Sequence, residues 1–263
     1  EMASYHSPGT CTFYGTANSN QMLMEFMGLH LPGSSFVPPN TPLRTALTKL
    51  ATKRALEITS LGKYFTPAYQ ILDEKAFVNG IVGLMATGGS TNLVLHLPAM
   101  AKAAGIKIEL SDFDDISSVT PLMAKIYPNG LADVNHFHAA GGLNYMISQL
   151  LEYGYLHNDV QTIMGLGLET YTKEPKLVDG KIEYVPSSIK THNEKILRPV
   201  IDPFQKSGGI KKLDGNLGTC IIKISSVPIE KQIIEAPARV FESQEDVKNA
   251  FKKNELDSDS IIV

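Results

Sequence analysis

The hydrophobic period changes along this chain, and that change bounds what it can fold into. Up to about residue 174, apolar residues recur at helical spacing between glycine and proline stops; from Gly208 onward they run as short strands. Met22, Leu23, Phe26 and Met27 mark a helix closed by Gly28. Thr41-Pro42 opens another, with Thr41 as N-cap and Pro42 at the first helical position. Leu43, Leu47, Leu50 and Ala51 form its apolar face, with Lys53 and Arg54 on the wet side. Residues 93–104 read as a helix capped by Ser90 or Thr91 and stopped at Gly105. The alternation over 106–110 then predicts a strand, and helix plus strand make the αβ half of a βαβ unit.

Further short helices are expected after Thr120-Pro121 and near 159–165, and a longer one through Leu143, Met146, Ile147, Leu150 and Leu151. Residues 176–185 alternate around Asp179-Gly180, a two-residue hairpin turn. Strand-like runs follow at 219–225, 229–234 and 238–241, then a helix capped by Ser243 with Asp246 in the capping-box position. The expectation is an α/β part over 1–207, whose end is a polar linker, and the opening of a β-rich part over 208–263. The chain starts at Glu1 and ends in the apolar run Ile261-Ile262-Val263, and both ends read as cuts through a longer protein.

Composition excludes several classes. With 24 Lys+Arg against 27 Asp+Glu the net charge is −3, which lacks the basic surplus of a nucleic-acid binder. No apolar run approaches a membrane span, and the opening Glu-Met-Ala-Ser-Tyr-His-Ser-Pro-Gly is not expected to be a signal peptide. Two cysteines, Cys11 and Cys220, far apart and outside any CxxC pattern, cannot form a disulfide scaffold or a self-contained metal site. Few cysteines and balanced charge suit a reducing cytoplasm.

Three segments can carry chemistry. Cys11 lies among Gly and Thr in a loop, where backbone N–H groups can hold a thiolate or the sulfurs of a cluster; a thiol that merely packs has the same local sequence. Thr87-Gly88-Gly89-Ser90-Thr91-Asn92 precedes a helix, so backbone and hydroxyl donors meet a helix N-terminus that favours anions; the same residues also make a simple cap. It is neither a Walker A nor a GxGxxG motif. Asp133-Val134-Asn135-His136-Phe137-His138 sets two alternate histidines on an extended segment, either ligands or satisfied surface groups. Cys220, in an apolar strand, reads as a packed thiol, and Asp112, Asp114 and Asp115 as a solvated helix start.

Longer strings go further. Pro-Gly-Thr-Cys-Thr-Phe-Tyr-Gly-Thr-Ala-Asn (8–18), Leu-Pro-Gly-Ser-Ser-Phe-Val (31–37), Asp-Glu-Lys (73–75), Val-Asn-Gly-Ile-Val (78–82) and Ala-Thr-Gly-Gly-Ser-Thr-Asn (86–92) closely resemble the IlvD/Edd dehydratases. So do Tyr-Pro-Asn-Gly (127–130), Asn-His-Phe (135–137), Gly-Asn-Leu-Gly (215–218) and Glu-Ala-Pro (235–237). The form Thr-Phe-Tyr-Gly-Thr-Ala-Asn and Phe-Glu-Ser-Gln (241–244) resemble the members acting on 6-phospho-D-gluconate. Members acting on dihydroxy acids or other sugar acids share the Gly-Gly-Ser-Thr-Asn loop and are the alternative, as is a non-catalytic phosphosugar-binding paralogue.

The resemblance implies the central part of a longer hydro-lyase, with an α/β cluster-binding domain followed by a β-rich swivelling domain. It implies loss of water from 6-phospho-D-gluconate to give 2-keto-3-deoxy-6-phosphogluconate, in the Entner–Doudoroff pathway. It implies a three-cysteine iron–sulfur cluster of the 4Fe–4S type, with a divalent cation such as Mg nearby, and a homodimer. Cys11 matches the third cluster cysteine; the other two, and the family's serine base, would lie outside this segment, so no catalytic base is assigned within it. Ser90, Thr91 and Asn92 match a loop of the substrate cleft, with His136 a further polar residue there. The segment alone is expected to be inactive.

Overall fold

The computed structural model describes Cys11 and residues 13–263; the part of the loop reading that falls on residues 1–10 and Thr12 lies outside the described residues. The chain divides into two compact units after Ser226.

The first unit is built on helices. α1 (Thr16–Phe26) buries Met22, Leu23 and Phe26. α2 (Pro42–Glu57) starts where the Thr41 hydroxyl accepts from Arg44 N at 3.2 Å, as the Thr-Pro pair requires. A short α3 (Ala68–Ile71) precedes α4 (Glu74–Thr87), which Asp73 caps through Ala76 N at 2.8 Å. α4 is buried along nearly all its length, and α1 lies directly on it. Gly80 and Gly83 make that closeness possible: a Cβ at either would stand 2.7 Å from Leu23 Cδ1 or Phe26 Cγ. α5 (Leu93–Ala103) follows the Gly88-Gly89 loop and ends at Gly105, whose φ is 80°. α6 (Leu110–Val119), α7 (Val134–Ala139) and α8 (Gly142–Glu152) complete the helical set of this unit. A main core runs from Tyr14 through Phe77, Phe113 and Phe137 to Tyr171, and α2 packs through Leu47 in a smaller cluster with Leu31 and Val37.

The strands form two-stranded pairs. β1 (Gln161–Thr162) and β2 (Gly165–Leu166) are a minimal antiparallel hairpin. β3 (Lys173–Val178) and β4 (Lys181–Pro186) pair in the register Lys173↔Pro186 to Val178↔Lys181, with Asp179 and Gly180 at φ 47° and 76°, the left-handed pair that a two-residue turn needs. β5 (Ile210–Gly215) and β6 (Gly218–Lys223) form a third hairpin, in the first unit. It packs on α6: Asp114 accepts from Lys212 N and from Lys211 Nζ, both at 2.9 Å, so that aspartate ties helix to strand and is more than a solvated start.

The second unit holds β7 (Ala238–Arg239) and β8 (Ile261–Ile262), paired in parallel, and α9 (Gln244–Lys252). Ser243 caps α9 through Asp246 N at 3.2 Å and donates to the Asp246 carboxylate at 2.7 Å.

Several expectations are corrected. Residues 106–109 form no strand, so no βαβ unit is present there; Ile106 and Ile108 alternate inward onto the core, and the reciprocal Glu109–Asp112 capping box starts α6 instead. After Thr120-Pro121 the chain is extended rather than helical, because Leu122, Met123, Ala124 and Ile126 are all fully buried, and Leu122, Ala124 and Ile126 bridge to residues 205, 197 and 132. Near 159–165 the β1–β2 hairpin replaces a helix, with Gly165 at φ 121°. Residues 229–234 contain a 3-10 turn, Ile229–Lys231, not a strand.

Candidate functional site

Cys11 is a free, exposed thiol at the rim of a cavity of about 580 Å3. Asn18, buried in the first turn of α1, shapes the loop that carries it: its side-chain amide donates to the Phe13 carbonyl at 2.8 Å and to the Cys11 carbonyl at 3.3 Å. The sulfur itself lies 3.5 Å from the Phe13 carbonyl oxygen. Such an outward-facing thiol is available as a ligand, unlike a packed one.

The cavity behind Cys11 is framed by α1, α2 and the loop between them. His30, Ser35, Arg44 and Asn135 contribute polar groups to its wall. Burial and the nearby Arg44 charge hold the His30 imidazole below its ordinary range, which favours the neutral ring. Arg44 is half-buried, and its guanidinium donates from Nε and Nη2 to the Val37 carbonyl at 3.2 and 2.8 Å and from Nη2 to the Ser34 carbonyl. Those acceptors are neutral, and among the described residues Arg44 forms no ion pair.

Behind this wall sits Glu25, fully buried in α1. Its carboxyl accepts from Gly33 N at 2.6 Å, Ser35 N at 3.2 Å and Ser35 Oγ at 2.6 Å, and so fixes the Pro-Gly-Ser-Ser loop. Burial pushes its pKa up, while these donors and the Arg44 charge pull it back. A glutamate on the apolar face of α1, one position before Phe26, is a signal in the sequence for this role. Arg54, expected on the wet side of α2, is instead turned inward: it pairs with Glu57 at 3.2 Å, donates to the Ile163 carbonyl and lines the same cavity.

The other candidates lie elsewhere. Ser90, Thr91 and Asn92 stand where the N-termini of α1 and α5 meet. The Ser90 and Thr16 hydroxyls are 3.1 Å apart, the Asn92 amide donates to Thr16 Oγ1 at 2.7 Å, and Ser90 N donates to Ser19 Oγ at 3.0 Å. Asn92, not Ser90 or Thr91, is the N-cap of α5, and neither it nor Gly15 at the start of α1 makes a side-chain cap bond. At α5 the first N–H groups are already taken, Leu93 N, Val94 N and Leu95 N donating to the Ser90, Thr91 and Asn92 carbonyls at 3.1, 3.0 and 3.0 Å and Asn92 N to Ser90 Oγ at 3.2 Å, so it is the two helix dipoles and the side-chain donors, not open N–H groups, that favour an anion here. The first turn of α1 thus touches both loops, Thr16 bonding to Ser90 and Asn92 and Asn18 to the Cys11 carbonyl.

His136 and His138 are not on an extended segment but on α7, capped by Asp133 through Asn135 N at 2.9 Å and His136 N at 3.0 Å. His136 is exposed, with Nδ1 2.8 Å from Asp133, and burial holds His138 below its ordinary range. Among the described residues no three His, Cys, Asp or Glu side chains converge to hold a metal ion. Cys220 is exposed on β6, not packed as its apolar strand suggested.

Comparison with known proteins places this geometry. Residues 1–171 match a family model described as Dihydroxy-acid/6-phosphogluconate dehydratase N-terminal, and residues 195–263 match its C-terminal counterpart. The chain is 56% identical over its whole length to a phosphogluconate dehydratase of Rhizobium meliloti (strain 1021) and 54% identical to one of Escherichia coli (strain K12), covering 44% of each. It is 35% identical, over 97% of its length, to a dihydroxy-acid dehydratase of Caldanaerobacter subterraneus subsp. tengcongensis, covering 43% of that protein. The chain thus spans less than half the length of these relatives. The loop cysteine, the Gly-Ser-Ser loop held by Glu25 and the Ser90–Asn92 corner all fall within matched segments, and the chain belongs to the dihydroxy-acid/6-phosphogluconate dehydratase family.

Proposed function

We propose that this chain is the central part of a phosphogluconate dehydratase, which removes water from 6-phospho-D-gluconate to give 2-keto-3-deoxy-6-phosphogluconate in the Entner–Doudoroff pathway. One observation carries the choice of substrate: identity is 56% and 54% to the two phosphogluconate dehydratases but 35% to the dihydroxy-acid dehydratase. In the reaction a base takes the C2 proton, the C3 hydroxyl leaves as water, and the enol becomes the ketone.

The donor set fits one corner of an iron–sulfur cluster. Cys11 is the ligand, and the described residues supply no further thiol beside it. Bound there, the cluster would supply a Lewis acid for the departing hydroxyl. The chain's own contribution is to hold that thiol outward through Asn18 and to bind substrate. Ser90, Thr91 and Asn92 hold the anionic end next to the reacting carbons with their side chains, with the α1 and α5 dipoles behind them, and His136 is a further polar contact. The residues completing the cluster and the base belong to the longer protein, as does a divalent cation such as Mg. The proposal extends to a β-rich swivelling domain in the C-terminal part of the longer protein, to a homodimer and to a cytoplasmic enzyme. In keeping with the last, no helix among the described residues is long and apolar enough to cross a membrane.

The test is anaerobic dehydration of 6-phosphogluconate by the full-length protein, wild type and Cys11→Ser, with iron and sulfide measured. The wild type should turn over, and the variant should lose both cluster and activity. A variant that keeps both would leave Cys11 an ordinary loop thiol. Turnover of 2,3-dihydroxyisovalerate in place of 6-phosphogluconate would move the protein to the other branch of its family.

A further inference from the structure

A phosphorylated sugar acid carries two anionic ends, and the Ser90–Asn92 corner accounts for one. That corner and the Cys11 loop are both held by the first turn of α1, through Thr16 and Asn18, and on the reading above it serves the carboxylate, which is bonded to the C2 carbon that reacts. The second anion, the phosphate on C6, lies four carbons further along and needs its own cation.

The cavity at Cys11 offers one. Its volume, about 580 Å3, is that of a small-molecule site. Arg44 is in its wall, on α2, with no hydrogen bond to the Cys11 loop. The guanidinium is oriented by the Ser34 and Val37 carbonyls, which fix its plane without neutralising its charge. Glu25 holds the opposite side of that loop through Gly33 and Ser35, so its carboxyl oxygens are committed to those donors and not to Arg44. Its hydrogen bonds go to neutral acceptors, and the buried Glu25 that its charge reaches spends its oxygens on the loop, so a half-buried arginine with open space before it keeps donors for an incoming anion. His30, neutral beside it, leaves the charge of the wall to the arginines.

We propose that Arg44 is the residue that holds the terminal phosphate of the substrate, and that the cavity between α1 and α2 is the phosphate end of the site. This rests on the substrate reading above. It makes Arg44 a specificity-determining residue for phosphorylated over unphosphorylated sugar acids; it takes no part in the chemical step.

The experiment uses the full-length protein with Arg44→Ala and Arg44→Lys. Three quantities are read: KM and kcat for 6-phosphogluconate, the dissociation constant of inorganic phosphate by 31P line broadening, and inhibition by D-gluconate. Arg44→Ala should raise KM at least about tenfold with kcat little changed, weaken inorganic phosphate in parallel and leave D-gluconate inhibition as it was. Arg44→Lys keeps the charge but loses the carbonyl bonds, so it should recover part of the phosphate affinity; a purely structural role for Arg44 predicts that Lys and Ala fail alike. Equal loss for 6-phosphogluconate and D-gluconate would give Arg44 the carboxylate and overturn the proposal, as would an unchanged KM. A wild type that binds inorganic phosphate through Arg44 yet does not dehydrate 6-phosphogluconate would sink the substrate reading and leave the anion site standing.

Discussion

Glu25 shows how a single residue sets the site. Its carboxyl is enclosed by α1 and three donors of the Gly33–Ser35 turn, and burial outweighs them in moving its pKa upward. The folded value is thus above the unfolded one, about 4.3. The stability linked to this group is fully present below the unfolded value and is lost as pH rises through the folded one. Glu25→Gln removes that titration. Urea midpoints measured across pH should therefore show the variant gaining on wild type as pH climbs above about 4.3; a difference independent of pH would contradict the assignment. The glutamate is legible in the sequence as a charge inside an apolar stripe. Arg44 and Arg54 are not, because the acceptors that draw them inward are backbone carbonyls of Ser34, Val37 and Ile163, which no side-chain pattern encodes, and the Arg54–Glu57 pair is one that a solvated helix face would also show.

At the scale of elements, α2 is the one whose position matters most, since it carries both arginines of the cavity wall. Its start depends on the Thr41 hydroxyl, which accepts from Arg44 N itself. Thr41→Ala should cost about 1 kcal/mol of unfolding free energy, and Thr41→Ser little, by denaturant titration. Caps of this kind are local, and so were read from the sequence: Thr41-Pro42, Asp179-Gly180 and Ser243 with Asp246 all stand where their chemistry puts them. Residues 106–109 show the limit. Period-two burial reports that one side of a segment faces a core, and Ile106 and Ile108 obey it; whether a partner strand lies alongside is decided by distant sequence. The β1–β2 hairpin was missed for a related reason, since two-residue strands carry too few side chains to show any period.

For the molecule as a whole, the β5–β6 hairpin belongs with the helices that precede it, tied to α6 through Asp114 and through Ser117, whose hydroxyl donates to the Ile210 carbonyl at 2.6 Å. The change in hydrophobic period near residue 208 is real, but a change in secondary structure is not by itself a boundary between compact units. Hydrogen exchange should distinguish the two. Amides of Ile210–Gly215 and Gly218–Lys223 should open together with those of α4 and α6, whereas α9, with only Ala250 buried, should exchange at a separate and faster rate. Opening of the hairpin together with α9 instead would place the boundary near residue 208.

The contact between Gly88 and Gly209 bears on the order in which the protein is made. A Cβ at Gly209 would stand 3.2 Å from the Gly88 Cα and 2.8 Å from Ser225 Oγ, so the two backbones meet with nothing between them. Ser226 reaches the same place, donating to Asn129, whose amide holds the Gly88 carbonyl. On the ribosome, Gly209 emerges about 120 residues after Gly88, a delay of roughly 6–24 s at ordinary rates of synthesis. Throughout that interval the nascent Gly88 turn lacks the backbone that packs on it. Its final shape is a late event of biosynthesis, reached only when the following hairpin arrives.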